Sequence, residues 1–272
     1  MYLKRNIDKE LLSWKKETNR KPLLVRGARQ VGKSSSIRKL GDSFDTFLEV
    51  NFEEHKGVHS LFKGNLTPHI LCENLSVMFD MEIALGKTLL FFDEIQACIP
   101  AISSLRFFYE KMPGLHVIAA GSLLEFALEE IPSFGVGRIR SIYMYPLSFD
   151  EFLIGMGNVK LLRIKRKANA KNPLALPIHE KLLDLLKRFM IIGGMPEVVE
   201  KYVTQNDLRA CQRILDDLVS SLRTDFAKYK YKVQASRIRE VFESIVRQAG
   251  GKFVYKKASQ NLNTLQIKEA LD

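Results

Sequence analysis

Residues 24–37 read LLVRGARQVGKSSS, and no other stretch of the 272-residue chain restricts its fold so tightly. An apolar run stops at a glycine, and the pattern G-x-x-x-x-G-K-[ST] follows, filled by Gly27, Gly32, Lys33 and Ser34. The two glycines, with Ala28, Arg29, Gln30 and Val31 between them, let a backbone wrap closely around a phosphate chain with its N–H groups turned inward. A helix starting directly after the loop adds the positive end of its dipole. Lys33 then brings a point charge to the terminal phosphates, and Ser34 an oxygen for Mg²⁺. Such a loop works only between a strand and a helix. Both flanks comply: 23–25 has the apolar character of a short buried strand, and 35–40 reads as the opening turns of a helix. Ser35 therefore closes the expected phosphate-binding segment.

A phosphate cradle needs a second anchor for its metal. The stretch TLLFFDEIQ, 88–96, has the apolar run of a strand buried on both faces, and Asp93 and Glu94 stand at its end. An aspartate there holds the Mg²⁺ shell. A glutamate beside it orients and deprotonates a water for attack on the γ-phosphate. A bare aspartate would suit a binding switch or a kinase, whereas Asp-Glu suits hydrolysis by water. The spacing of 60 from Lys33 to Asp93 leaves room for one more strand, FLEVNFEE at 47–54, which kinases and small GTPases commonly lack. No N-K-x-D segment is present to read guanine, which points to ATP. The next apolar run, LHVIAAGS at 115–122, ends on Ser122. That serine either senses the γ-phosphate and places the water, or caps a short helix over 123–130. Arg138, in GVGRIR, falls where an arginine could reach a phosphate from its own or a neighbouring subunit. Arg140 competes for that role, and either is equally readable as a surface charge.

Strands alternating with helical patterns up to about residue 148 predict an α/β fold, a P-loop NTPase with a mostly parallel sheet flanked by helices. Helical periodicity is expected over 7–19, 67–85 and 100–112, and a last strand over 138–148. The pattern then changes. We expect a core over 1–155, a basic linker over 156–178 with 160–177 as loop, a helical lid over 179–235, and a further segment over 236–272. Gly193, Gly194 and Pro196 interrupt the helical part and read as a helix break.

The formal net charge of +11 is concentrated in KLLRIKRKANAK, 160–171, and from Lys228 towards Lys257. Both stretches fit a nucleic acid or an acidic protein partner, and both equally fit solvated surface. Three well-separated cysteines, Cys72, Cys98 and Cys211, argue against a disulfide framework. His55 and His59 lack the further ligands a metal site needs. The N-terminus has no apolar core of a signal peptide, and no run reaches the ~18 apolar residues of a membrane helix, so a cytoplasmic protein is expected.

Taken together, RGARQVGKSS, LLFFDEIQ, VIAAGSLLEF, YPLSFDEFL, IIGGMPEVV, DFAKY and KFVYKKAS resemble the bacterial and archaeal AAA+/STAND-type P-loop ATPases. The resemblance runs from about residue 3 to the end. It implies ATP and Mg²⁺ as ligands, Lys33 and Ser34 on phosphate and metal, Asp93 on the metal, Glu94 as water activator and Ser122 as first sensor. It also implies that Gly194 and Pro196 pack against the nucleotide. Family members usually continue through a winged-helix unit into a nuclease-like domain of unknown function. By that comparison TLQIKEALD looks like the first helix of the winged-helix unit, and the chain looks C-terminally truncated. Two functions follow as expectations. One is ATP hydrolysis that moves the helical part. The other is a nucleotide-gated binding module for DNA or a protein. A small-molecule phosphotransferase fits less well, because nothing marks an acceptor pocket.

Overall fold

Leu23, Leu24 and Val25 are all buried, because the strand they form has a neighbour on each side and helices above and below. The computed structural model describes residues 1–122, 124, 128, 137–226 and 233–271. The helix expected over 123–130 and the lysines at 228–232 fall largely outside those residues.

In chain order the first part runs α1 (Ile7–Lys15), β1 (Leu23–Arg26), α2 (Lys33–Gly41), β2 (Thr46–Asn51), a 3₁₀ turn (Lys56–Phe62), α3 (Pro68–Phe79) and β3 (Thr88–Asp93). There follow α4 (Ile99–Lys111), β4 (His116–Ala120), β5 (Arg140–Tyr143), α5 (Phe149–Gly155), α6 (Val159–Lys167), α7 (Leu176–Ile192) and α8 (Pro196–Gln205). The sheet has the order β2-β3-β4-β1-β5, and every pairing is parallel. Leu23 lies opposite Ile118 on one side and Arg140 on the other.

The two-residue period of a strand divides the apolar side chains between two cores. Leu24, Leu90, Phe92, Val117 and Ala119 face α3 and α4. Leu23, Val25, Leu89, Phe91, Ile118 and Ala120 face α1 and α2. β3 and β4 are buried at every position, which is why both read as unbroken apolar runs. From β1 the chain crosses to the far edge, returns through β3 and β4, and then passes to the other side of β1. The carboxyl ends of β1 and β4 therefore flank the point where the winding changes direction. In open α/β sheets that is where ligands bind.

Several boundaries differ from the sequence reading. α3 ends at Phe79, short of residue 85, because Asp80 turns left-handed at φ +50°. The strand expected over 47–54 stops at Asn51, whose side-chain oxygen accepts from the Glu53 and Glu54 N–H groups and turns the chain. The basic stretch read as a loop begins as helix α6. Leu161 and Leu162 are its buried anchors, and Lys165 and Arg166 both reach Asp150 on α5. The compact units also divide elsewhere: Met1–Gln205 and Asn206–Asp272, so the break falls within the expected lid and not over 156–178.

The second unit contains α9 (Leu208–Asp225), α10 (Ala235–Arg247), a 3₁₀ turn (Tyr255–Lys257) and α11 (Thr264–Leu271). Asp207 caps α9 by accepting from the Arg209 and Ala210 N–H groups. Among the described residues no helix is long and apolar enough to cross a membrane.

Candidate active site

The loop between β1 and α2 takes the shape its glycines permit. Gly27 has φ +143°, and a Cβ there would lie 2.1 Å from the Met144 carbonyl oxygen. The loop thus packs backbone against backbone on the chain leaving β5. Gly32, at φ +94°, hands the chain to α2. Gln30 is left-handed at φ +62° without being glycine, a local strain of the kind found at ligand-binding turns. Val31 turns into the core and offers its carbonyl elsewhere. The Lys33 ammonium is 2.8 Å from the Gly27 oxygen and 2.9 Å from the Ala28 oxygen. Burial lowers its pKa, opposed by the carboxylates of Glu94 and Asp93 and reinforced by Arg29.

The Ser34 hydroxyl donates to Asp93 Oδ2 at 2.8 Å, joining the first turn of α2 to the tip of β3. Burial raises the Asp93 carboxyl. The Ser34 bond opposes that rise, and the charge of Glu94 adds to it. Glu94 leaves the strand in a left-handed conformation, φ +46°, which turns its side chain out of the sheet. Its Oε2 accepts from Gln96 Nε2 at 2.6 Å and from the Ser122 hydroxyl at 3.4 Å. β4 lies between β1 and β3, so Ser122 emerges between the loop and the acidic pair. Gly121 leaves room there for the Gln96 side chain, whose Oε1 would lie 2.0 Å from an added Cβ.

Lys33, Ser34, Glu94 and Ser122 line a cleft of about 320 Å³, while Asp93 is buried behind Ser34 and does not line it. One wall is Arg29, Gln30 and residues 32–35. Glu94 and Ser122 stand on it, and Pro196, Glu197 and Glu200 of α8 form the outer side. A smaller recess of about 80 Å³ continues past Gly32, Ser35 and Pro196 to the N-terminal residues Met1–Leu3.

Not every expected site residue reaches the cleft. Gly194 accepts from the Leu147 N–H at 2.6 Å, and a Cβ on it would lie 2.3 Å from the Leu147 oxygen. Its role is close backbone packing, while Pro196 lines the cleft. Arg138 pairs with Glu110 of α4. Arg140 binds Glu10 and Glu17 from the amino end of β5, the end of the sheet away from the loop. Neither arginine lines the cleft in its own chain.

Sequence reasoning missed the support beneath the loop. Arg5 is 6% exposed and donates to Glu151 Oε1 at 3.0 Å, to the Val31 oxygen at 2.8 Å and to the Tyr145 oxygen at 2.6 Å. Glu151 also accepts from the Asn6 and Ser148 N–H groups, each at 2.7 Å, and from the Ser148 hydroxyl at 3.0 Å. This buried pair ties the loop to the N-terminal segment and to the start of α5. The readable trace was S-x-x-E at 148–151, a capping box that α5 makes in full. Gln96 left no such trace.

A parallel sheet of this order, with a glycine loop at one strand tip and a Ser–Asp contact to the next strand but one, defines a P-loop nucleotide-binding domain. Residues 19–153 match the family described as an AAA domain. Residues 183–272 match a family described as a domain of unknown function, DUF8612. No curated protein matches the chain. Among solved structures it is similar to a Walker-type ATPase of Pyrococcus abyssi, with 16% identity and a TM-score of 0.60 over 99% of this chain and 88% of that one. It is more distantly similar to PCH-2 of C. elegans, with 14% identity and a TM-score of 0.43 over 79% and 67% of the two chains. The first of these likenesses bears on the fold.

Proposed function

We propose that the chain binds Mg·ATP in the cleft and hydrolyses it. The observation that carries this reading is the 2.8 Å contact between Ser34 Oγ and Asp93 Oδ2, with Glu94 next in sequence and joined to Ser122. Two hard oxygen donors stand side by side there, a donor set that would suit a phosphate-bound Mg²⁺. The metal, when bound, would neutralise charge on the phosphates. Lys33 would turn from the Gly27 and Ala28 carbonyls to the phosphate oxygens, and the N–H groups of 29–35 would complete the cradle.

Glu94 would accept a proton from a water held with Ser122, and the water oxygen would bond to the γ-phosphorus as the bond to the bridging oxygen breaks. ADP and inorganic phosphate leave. Glu197 and Glu200 would repel phosphates. They therefore suit the ribose hydroxyls, with the base continuing into the recess beside Met1–Leu3 and Pro196. Pro196 would let nucleotide state reach the helical segment. Buried thiols at Cys72, Cys98 and Cys211 agree with a reducing, cytoplasmic setting.

Phosphate release from Mg·ATP tests the reading. Glu94→Gln should retain ATP binding and lose turnover by ~10²-fold or more. Undiminished turnover would sink the assignment. A second reading is favoured by the bond from Gln96 that occupies Glu94 Oε2: a nucleotide-gated module for DNA or a protein, with little turnover. For that reading wild-type phosphate release would be negligible, while partner affinity would depend on ATP.

A further inference from the structure

The second compact unit carries a concavity of its own, separate from the cleft. α10 and α11 pack through Val241 and Ile267, with Ala258 buried between them and Phe253 and Leu262 against them. The connecting segment wraps around this small core and leaves a hollow of about 550 Å³. Arg247 from the last turn of α10, Lys256 and Lys257 from the 3₁₀ turn, and Ser259, Gln260 and Asn261 line it. The three cations are exposed, and none forms an ion pair with another described residue. Glu240 is the one acid on the wall. The Ser259 hydroxyl oxygen accepts from the N–H groups of Asn261 and Leu262, which fixes the turn that presents these side chains.

The other basic stretch is different. Lys165 and Arg166 there are both engaged by Asp150, at 2.8 and 3.0 Å. The 160–171 stretch is thus partly neutralised, whereas Arg247, Lys256 and Lys257 are presented.

We propose that the hollow lined by Arg247, Lys256 and Lys257 binds the phosphodiester backbone of a nucleic acid. A guanidinium, two ammonium groups, a hydroxyl and two amides are the groups by which proteins hold phosphate and sugar. Residues 233–271 carry seven basic and three acidic side chains, so the field around the hollow favours a polyanion. A protein partner would want an apolar centre inside a polar rim. This wall offers Ala258 alone, already buried beneath it. Contacts of this kind do not read bases, so binding is independent of sequence and falls steeply with salt. The inference stands on the second unit and does not require ATP hydrolysis.

The test uses the full chain without nucleotide, a fluorescein-labelled 20-base-pair duplex, and anisotropy across a KCl series. Each backbone phosphate neutralised contributes ~0.9 to the slope of log K against log salt. The triple variant R247A/K256A/K257A should therefore lose about 2–3 units of slope, with at least about tenfold weaker binding at low salt. The exposed pair K160A/R163A should leave the slope unchanged. An unchanged slope in the triple variant, or no salt-dependent binding by the wild type, overturns the proposal. So does displacement of the duplex by poly-glutamate as effectively as by unlabelled DNA, which would identify an acidic protein as the partner. Phosphate release measured on the same variant should match wild type. A loss of hydrolysis in every variant with DNA binding intact would remove the hydrolytic reading and leave this one standing.

Discussion

Glu151→Ala tests whether a buried ion pair, and not the glycine loop alone, holds the nucleotide cleft in shape. The carboxylate takes four hydrogen bonds: from Arg5 Nε, the Asn6 N–H, the Ser148 N–H and the Ser148 hydroxyl. Removing it leaves the Arg5 guanidinium charged, 6% exposed and without its counter-charge. Breaking a buried pair from one side costs about 3–5 kcal/mol, and loss of the capping box that starts α5 lies within the upper part of that range. For a unit of this size each kcal/mol moves the melting temperature by roughly 2–4 °C, so about 4 kcal/mol predicts a fall of roughly 8–16 °C. Differential scanning calorimetry measures it. The paired replacement Arg5→Met with Glu151→Leu should recover much of the loss, because an apolar pair carries no orphaned charge. Burial alone would raise the Glu151 carboxyl, but the Ser148 and Asn6 N–H groups with the charge and hydrogen bond of Arg5 outweigh it and hold the group below its ordinary value. Its stabilisation is thus present above the unfolded carboxyl pKa and disappears as pH falls through the folded one. The Ala variant should lack that acid limb. A melting temperature within about 2 °C of wild type would refute the reasoning, since 3 kcal/mol could not then reside in the pair.

His116 offers a second pH test. It is buried against Trp14 and Phe44, its Nε2–H donates to the Lys15 carbonyl, and its Nδ1 has no hydrogen-bond partner among the described residues. Burial pushes its pKa down to about 4, so the unfolded chain takes up the proton first as pH falls. About 3 kcal/mol of stability should be lost between pH 6.5 and 4, and His116→Gln should flatten that slope in urea titrations. Burial raises the Asp93 carboxyl, so its ionised form costs stability at neutral pH. Asp93→Asn should raise the melting temperature by a few degrees while weakening Mg·ATP binding; a lower melting temperature would contradict this. Gly121→Ala should displace Gln96, whose Oε1 would lie 2.0 Å from the new carbon, and lower turnover through Glu94 with little change in ATP affinity. Equal turnover would show that Gln96 does not position Glu94.

What was legible in the sequence was what neighbouring residues decide among themselves. The glycine loop is a local demand on φ, and Gly27, Gly32, Lys33 and Ser34 announce it within eight positions. The buried strands announce themselves as apolar runs. Asp93 and Glu94 gained meaning only from such a run before them. The sheet order did not show, because it depends on pairings such as Leu23 with Ile118, which no local pattern encodes. Arg5 and Glu151 are 146 positions apart, and each taken alone is an ordinary charged residue. Arg138 was singled out as an arginine that could reach a phosphate from its own or a neighbouring subunit, and within its own chain it pairs with Glu110. Helix α6 was hidden by its own composition: five of its nine residues are basic, and of the four apolar ones only Leu161 and Leu162 are buried.

The sheet order also bears on how the protein is made. β1 is among the first strands to leave the ribosome, but both of its neighbours, β4 and β5, come late. Its pairing with β4 spans about 95 residues, and at roughly 5–20 residues per second that delay lasts about 5–20 s. Through that interval an apolar strand has no place in a sheet, and the loop that follows it has no frame. The central strand is then a natural point of contact for chaperones during synthesis, and fragments ending before residue 116 should aggregate where longer ones remain soluble.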